Sequence, residues 1–171
     1  MNIAVMIPCY NEEQTIYEVI KDFQKELPDA EYYVYDNNSS DNTARQAKDA
    51  GAIVAHELNQ GKGNVVRSMF RQINADIYII VDGDNTYPAE FIHQLITPVK
   101  NSTADIVVGD RLSNHSYINT NKRSFHTFGN YLVRRLINKL FKANLNDIMS
   151  GYRVLSKRFV KTMPVTSTGF E

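Results

Sequence analysis

Two aspartates, Asp82 and Asp84, directly follow the apolar residues 77–81. Carboxylates two residues apart at the end of a buried strand cannot both face the core, and a divalent cation is a suitable counter-charge. Hard cations such as Mg²⁺ take oxygen ligands and are usually shared with substrate phosphates. The pair therefore suggests a metal that holds a nucleotide diphosphate. The alternative is a loop whose acids are solvated or cap the next helix.

Length and composition indicate one soluble globular domain. The chain has 171 residues, of which 43% are hydrophobic and 22% are charged, and this is enough for a sizeable core. The sequence contains no run of 18 apolar residues, so no membrane span is predicted. The N-terminus lacks a basic stretch followed by an apolar one, so no signal peptide is expected. The single cysteine, Cys9, excludes an internal disulfide, fits a reducing compartment and is expected to be a small core or loop residue.

Charge is distributed unevenly along the chain, although the net charge is zero. Residues 1–121 contain 9 Lys and Arg against 17 Asp and Glu, whereas residues 122–161 contain 10 Lys and Arg against one acid, Asp147. The first part is suited to a metal, and the second part should attract phosphates or a lipid head-group surface. The alternative for most of these lysines and arginines is a solvated helix face.

Apolar strands alternate with helix-period segments, which predicts a mainly parallel sheet with helices on both faces. Strands are predicted at 3–7, 32–35, 53–56, 77–81 and 106–108. Helices are predicted at 13–27 with Asn11 as N-cap, at 42–50 capped by Asp41, at 63–74, at 88–100 starting with Pro88, and at 125–141.

Polar clusters follow four of the predicted strands. They lie at 10–12, 36–38, 59–63 and 82–84, in chain order. In open sheets of this kind, ligands bind outside the carboxyl ends of the strands. Asp36 could therefore accept a hydrogen bond from a base N–H or a ribose hydroxyl. A helix-capping role is the alternative, and Asp41 fills that role better.

Six segments in order resemble the inverting glycosyltransferases of family 2, an α/β class with the GT-A fold and a Rossmann-like mainly parallel sheet. The resemblance is greatest to the polyprenyl-phosphate branch, which includes dolichyl-phosphate mannose synthase. The segments are IPCYNEE at 7–13, DNNSSDNT at 36–43, NQGKG at 59–63, DGD at 82–84 with Tyr87-Pro88, GDR at 109–111 and DIMSGYR at 147–153.

The resemblance implies a nucleotide-sugar site in residues 1–108 and an acceptor side in 109–171, within one catalytic domain that is expected to be the front of a longer protein. The residues implied for nucleotide-sugar binding are Pro8, Tyr10, Glu12, Asp36, Lys62, Asp82, Gly83 and Asp84. Mg²⁺ or Mn²⁺ would be held by Asp82 and Asp84, with Asp84 as the more direct ligand. Thr86 occupies a further ligand position of the branch, although a hydroxyl is a poorer ligand than an amide oxygen.

On the acceptor side, the resemblance implies phosphate contacts from Arg111, Arg123, Thr127 and Arg153. Asp147 occupies the position of a candidate general base. A neighbouring Arg153 should keep its pKa low, so Asp147 could instead orient the acceptor or an arginine. Asp84 and Asp147 are thus the candidate catalytic residues.

The implied reaction is metal-dependent, inverting transfer of a hexose or N-acetylhexosamine from a nucleotide sugar to a polyprenyl phosphate at the cytoplasmic face of a membrane. UDP is favoured as the nucleotide, GDP-mannose is the other option, and no nucleic acid partner is expected. The alternative within family 2 is transfer to a glycan hydroxyl in cell-wall or surface polysaccharide synthesis.

Two other classes fit the sequence less well. A sugar-phosphate nucleotidyltransferase should carry a Gly-rich, Arg-containing loop after the first strand, where this chain has Pro8-Cys9-Tyr10-Asn11. A dinucleotide-binding module should carry Gly-x-Gly-x-x-Gly there, and that motif is missing from the sequence.

Overall fold

A six-stranded sheet forms the centre of the protein, which is described by a computed structural model covering residues 1–109 and 150–169. The spatial order is β3-β2-β1-β4-β6-β5. The first four strands pair in parallel, and β6 is antiparallel to both of its neighbours. The strands are β1 Ile3–Cys9, β2 Glu31–Asp36, β3 Ile53–His56, β4 Ile77–Ile80, β5 Ile106–Val108 and β6 Arg153–Ser156.

Five α-helices accompany the sheet in the described part of the chain, together with a 3₁₀ turn at Ala89–Phe91. They are α1 Ile16–Glu26, α2 Thr43–Asp49, α3 Lys62–Gln72, α4 Ile92–Lys100 and α5 Lys157–Thr162. In these ranges, no helix is both long enough and apolar enough to cross a membrane. The helix predicted at 125–141 lies outside the described residues.

Helices cover both faces of the sheet because β1 alternates its side chains between two apolar clusters. Val5 and Ile7 pack in the cluster that holds the buried faces of α1, α2 and α4. Ala4 and Met6 pack in the cluster that holds α3 and α5. All four side chains are fully buried, as expected for a central strand with helices on both sides. The predicted α/β architecture is therefore confirmed.

The predicted strand bounds are confirmed at 53–56 and 106–108, and the other three predicted strands lie within two residues of their observed ends. The strand β6 was not predicted. Its four residues, Arg153–Ser156, are too few to show a clear alternation, and they become a strand by pairing with β4 and β5. Whether these four residues form a strand therefore depends on pairing with strands that are distant in sequence.

The predicted N-cap of α1 is wrong. Asn11 has a left-handed backbone (φ 56°), and its side-chain oxygen accepts from the Ser40 backbone N–H at 2.8 Å. The helix begins at Ile16, whose N–H and that of Thr15 donate to the Glu12 carbonyl at 3.0 and 3.1 Å. Asn11 therefore joins the loop after β1 to the loop after β2.

The start of α2 is displaced by one residue from its prediction. Asn42 precedes the helix and makes no side-chain capping bond. Asp41 lies one position earlier, and its carboxylate accepts from the backbone N–H of Thr43 at 3.0 Å and from the Thr43 hydroxyl. Asp41 therefore binds the start of α2, but it lies one residue before the N-cap position.

The helix predicted at 88–100 is divided in two. The 3₁₀ turn at Ala89–Phe91 precedes α4, and Pro98 lies in the last turn without ending the helix before Lys100. The Pro98 carbonyl accepts from the backbone N–H groups of Thr103 and Ala104, which close the turn that follows.

Candidate active site

The strand order reverses between β1 and β4, which is where open α/β sheets form a crevice at their carboxyl ends. Tyr10 and Glu12 follow β1, and Asp82 to Asp84 follow β4. Asp36 ends β2 beside them, in register with Cys9. The topology thus brings the predicted nucleotide-sugar residues to one edge of the sheet.

Asp36 is a buried carboxylate at this edge, with 4% of its surface exposed. One oxygen lies 3.2 Å from His56 Nδ1, and the other accepts a long backbone hydrogen bond from Ser39 at 3.4 Å. His56 ends β3 and lies opposite Asp36 in the sheet register. The role of His56 as its neighbour was not foreseen, because strand register cannot be read from the sequence alone.

Asn37 holds the loop that leads into α3. Its amide group donates to the carbonyls of Glu57 and Asn59 at 2.8 and 3.0 Å, and its side-chain oxygen accepts from Gly61 N–H at 2.7 Å. Asn37 is buried, so these bonds satisfy polar atoms that water does not reach. Asn37 belongs to the 36–43 motif, and its role in holding this loop was not predicted.

Negative charge accumulates around Glu12. Burial first, and then the charges of Asp84 and Asp82, raise the pKa of its carboxyl to about 7, against a hydrogen bond from Thr15 that lowers it. Asp84 is exposed, and its side chain accepts from Thr86 N–H at 2.9 Å. A cation placed between these carboxylates would relieve their mutual repulsion.

Lys62, the first residue of α3, forms an ion pair with Asp82. The Asp82 side chain is 25% exposed, so the charge is partly desolvated. Gly151 lies against the other side of this carboxylate, where a Cβ atom would overlap the Asp82 oxygens. Its N–H donates to the Tyr87 hydroxyl at 2.6 Å. Asp82 is therefore held between a cation and a glycine that has no room for a side chain.

The glycines of the Gly61-Lys62-Gly63 loop face the C-terminal tail, residues 163–169. A Cβ on Gly61 would overlap the Thr168 carbonyl, and a Cβ on Gly63 would lie 2.6 Å from the Ser167 carbonyl oxygen. The Gly63 N–H donates to the Gly169 carbonyl at 2.8 Å. Both glycines are therefore required by the close approach of this tail, which was not predicted from the sequence.

The remaining predicted residues of the nucleotide-sugar site lie on the same edge. Pro8 is paired with Tyr35 within the sheet, and Tyr10 is 49% exposed beyond the end of β1. The Gly83 carbonyl accepts from the Thr15 hydroxyl at 2.6 Å, and a Cβ on Gly83 would lie 2.9 Å from Cys9 Sγ.

Cys9 itself is buried, as expected for a core residue. Burial raises the pKa of its thiol well above the ordinary value, and nearby carboxylates, first Glu12, raise it further. The reactive thiolate is therefore disfavoured.

On the predicted acceptor side, only Arg153 lies within the described residues. It begins β6 opposite Ile80, and its Nε donates to the Ser150 carbonyl at 2.9 Å. This position is next to the end of β4, from which Asp82 follows. Asp147, Arg111, Arg123 and Thr127 lie outside the described residues, so their predicted roles stay predictions.

The donor set suits a metal that is completed by substrate. Among residues 1–109 and 150–169, no cluster of three or more His, Cys, Asp or Glu side chains could hold a metal ion. Asp84, with Asp82 if it is released from Lys62, would supply two carboxylate groups. Mg²⁺ commonly binds through one or two carboxylates plus substrate phosphates and water, and these residues fit that pattern.

An α/β sheet with this crevice is the framework of a GT-A glycosyltransferase, and the comparisons with known proteins agree. Residues 4–163 match Glycosyl transferase family 2. The chain belongs to this family, and it is a glycosyltransferase.

The similar proteins include protein RfbJ of Shigella flexneri, 52% identical over 113 residues that cover 66% of this chain and 88% of RfbJ. The dolichol-phosphate mannosyltransferase of Pyrococcus furiosus is 25% identical, and the match covers the whole of this chain but 51% of that enzyme. The chain therefore spans about half the length of this relative, and the activity of a whole protein is a matter for proposal.

Solved structures confirm the GT-A fold. Glucosyl-3-phosphoglycerate synthase from Mycobacterium tuberculosis, solved with Mn²⁺ and UDP-glucose, superposes with a TM-score of 0.76 at 22% identity. The match covers 98% of this chain and 60% of the synthase.

Proposed function

We propose that the protein transfers a hexose or N-acetylhexosamine, with inversion, from a nucleotide-diphosphate sugar to a polyprenyl phosphate at a membrane surface. The observation that carries the proposal is the convergence of Glu12, Asp36, Lys62, Asp82 and Asp84 on the crevice between β1 and β4. UDP is the favoured nucleotide, and GDP is the alternative.

The crevice divides into two parts that suit the two halves of a nucleotide sugar. Asp36 is a buried acceptor beside β3, suited to a base N–H or a ribose hydroxyl. Pro8 and Tyr10 would contact the same nucleoside from the end of β1. Lys62 and Asp84 lie toward β4 and α3, where a diphosphate would meet one cation and the candidate metal ligand. This separation gives the sugar donor a defined direction in the site.

Lys62 would change partner when the sugar donor binds. In the structure, its ammonium group neutralises Asp82. A diphosphate carries more negative charge than one carboxylate and competes for the same ammonium group. Release of Asp82 would then make its oxygens available at the point where Asp84 and Glu12 already repel each other.

Asp84 and Asp82 would hold Mg²⁺ or Mn²⁺, with Thr86 as a weaker ligand. When bound, such a metal would neutralise charge that builds on the leaving diphosphate. The carboxylates of this chain then have two tasks: to place the diphosphate and to keep the anomeric carbon open to attack from the opposite face. Preorganised groups of this kind lower the barrier without rearranging during the reaction.

A phosphate acceptor is suited to a site of this kind because it is already ionised near pH 7 and has little need of a general base. Arg111, Arg123, Thr127 and Arg153 would bind it, since arginine matches phosphate oxygens with a planar fork of donors. Asp147 would act either as a base or as an orienter of the acceptor. Similarity to a dolichol-phosphate mannosyltransferase supports this choice of acceptor.

An acceptor screen tests the proposal directly. A chain that includes any continuation beyond Glu171 is supplied with UDP- or GDP-sugars, Mn²⁺ and either polyprenyl phosphates or oligosaccharides. Transfer to the lipid phosphate is expected. Transfer only to an oligosaccharide would replace the proposal with the glycan-hydroxyl alternative. Calorimetry with UDP and GDP identifies the nucleotide, and preferential GDP binding would contradict the choice of UDP.

The role of Arg123 in that acceptor site has its own test. Arg123→Ala should impair use of the lipid acceptor while binding of the nucleotide sugar stays near that of the parent chain. Lys25→Ala on the exposed end of α1 is the control for loss of one positive charge. Equal transfer to polyprenyl phosphate by Arg123→Ala and the parent chain would make the acceptor assignment wrong.

A further inference from the structure

The helical layer formed by α3 and α5 carries one sign of charge. The cationic residues of these two helices are Lys62, Arg67, Arg71, Lys157, Arg158 and Lys161, and neither helix contains an Asp or Glu. The opposite layer is mixed, because α1 alone contains Glu18, Lys21, Asp22, Lys25 and Glu26. Because of this difference in charge, the layer of α3 and α5 is suited to contact with an anionic partner.

A cleft of about 270 Å³ separates α3 from α5 on this side. Its cationic lining residues are Arg67, Arg71 and Lys161, and its apolar ones include Phe70, Met163 and Val165. In the part of the chain that the structure describes, no carboxylate lines it. Met163 is 51% exposed, so its apolar side chain is available for contact beside these cations. The cleft therefore offers phosphate-binding groups and an apolar surface together.

Among the described residues, none of these three cations forms an ion pair with a carboxylate. Lys161 donates to the carbonyls of Phe70 and Ile73 at 2.7 and 2.9 Å, so it closes the end of α3. Arg67 contacts the neutral Asn64 side chain. Within the described ranges, neither Arg67 nor Arg71 forms an ion pair with an acid.

The acidic groups near this layer are already engaged. Glu57 accepts a hydrogen bond from the Ser68 hydroxyl of α3, and this bond is the main cause that lowers the pKa of its carboxyl, with a smaller effect from Arg71. Asp105 pairs with Arg158 at the far end of α5. Asp76, before β4, accepts from the Asn2 backbone N–H. The guanidinium groups of Arg67 and Arg71 thus retain most of their capacity to bind phosphate.

We propose that the cleft between α3 and α5 binds the head group of an anionic membrane phospholipid. Arg67 and Arg71 contact its phosphate, and Phe70 and Met163 contact its apolar part. The inference rests on the proposed function, because that function places the protein at a membrane, but the residues that line this cleft include none of those assigned to the sugar donor or the acceptor. The tail connects the two places, since Met163 and Val165 line the cleft and Gly169 bonds to Gly63.

Vesicle binding tests this surface separately from transfer. The full 171-residue chain is sedimented with vesicles of phosphatidylglycerol and phosphatidylcholine, or of phosphatidylcholine alone, without polyprenyl phosphate or nucleotide sugar. The test variant is Arg67→Gln with Arg71→Gln. The matched control is Lys25→Gln with Arg45→Gln, which removes the same charge from exposed residues of α1 and α2 on the opposite layer.

The parent chain should bind the anionic vesicles, and the test variant should bind them about thirty-fold more weakly, while the control stays near the parent. This factor follows from about 1 kcal/mol per basic residue at an anionic surface and about 1.4 kcal/mol per factor of ten. Higher salt should reduce the difference. Met163→Ser should weaken binding roughly five-fold without changing the salt dependence, from about 1 kcal/mol of apolar contact. Thermal unfolding should show that all variants are folded.

Three results would overturn the inference. They are no binding of the parent chain to anionic vesicles, equal losses in the test and control variants, and binding of free glycerol phosphate that displaces the protein from vesicles. The last result would assign the cleft to a soluble phosphate. A failed acceptor screen together with the expected vesicle binding would contradict the proposed function and leave this surface supported.

Discussion

Glu12→Gln should stabilise the metal-free protein at pH 8 and change its stability little at pH 5. The pKa of the Glu12 carboxyl is raised from 4.5 to about 7, first by burial and then by the charge of Asp84. The folded protein therefore holds this proton more tightly than the unfolded chain does. The contribution of Glu12 to stability is most favourable below pH 4.5 and declines as the pH rises through 7.

The shift sets the size of the effect. The pKa of Glu12 differs by about 2.5 between the unfolded and the folded protein. At 1.36 kcal/mol for each pKa unit, this difference changes the free energy of unfolding by roughly 3 kcal/mol at most. Glu12 is only half-buried, so solvent screens part of the repulsion, and a gain of about 1–2 kcal/mol is expected for Glu12→Gln at pH 8. At pH 5 the parent side chain is already mostly protonated in the folded state, and the gain should fall below about 0.5 kcal/mol.

Urea unfolding of the parent chain and the variant at both pH values measures this difference. Glu18→Gln is the control, because Glu18 is an exposed acid on α1 away from the crevice. Added Mn²⁺ should reduce the gain from Glu12→Gln at pH 8, since a cation beside Asp84 removes the same repulsion. An equal effect of Glu12→Gln at pH 5 and pH 8 would show that charge repulsion at Glu12 is not what the substitution removes.

Three further substitutions test the crevice. Lys62→Met should leave Asp82 without its counter-ion and weaken UDP binding at least about ten-fold by calorimetry, and unchanged affinity would contradict the role of Lys62. Gly151→Ala should overlap the Asp82 carboxylate and cost about 1–3 kcal/mol in urea unfolding, and parent-like stability would refute the tight contact. Asp84→Ala should abolish transfer. Because Asp84 is exposed, the free energy of unfolding should stay within about 0.5 kcal/mol of the parent value. Full activity of this variant would contradict the assignment of Asp84 as a metal ligand.

The main architecture could be predicted from the sequence because local signals carry it. The apolar runs of β1 to β5 are bounded by turn residues, and the helices between them follow a helical period. The parallel sheet and its crevice then follow from the alternation of elements. The site residues after β1, β2 and β4 follow from the same rule, since each comes directly after a strand end.

Contacts between distant segments could not be predicted. Whether Arg153–Ser156 forms a strand depends on β4 and β5, and whether His56 neighbours Asp36 depends on the register of β2 with β3. The same limit explains the error at Asn11, whose side chain bonds across to Ser40 instead of capping the following helix. A side chain does not follow its local capping propensity where a partner from another loop satisfies the same polar group.

The contacts of Gly63 with the tail and of Asp82 with Gly151 also constrain the order in which the protein assembles during synthesis. Residues 1–109 leave the ribosome first, and they contain four parallel strands but an unpaired β4 edge. The strand that covers this edge and the tail that bonds to Gly63 come from residues 153–169. Such long-range contacts form slowly because the intervening segment must first be closed into a loop. The contacts that fix Gly63 and Asp82 in the candidate site therefore form only after residues 151–169 have emerged.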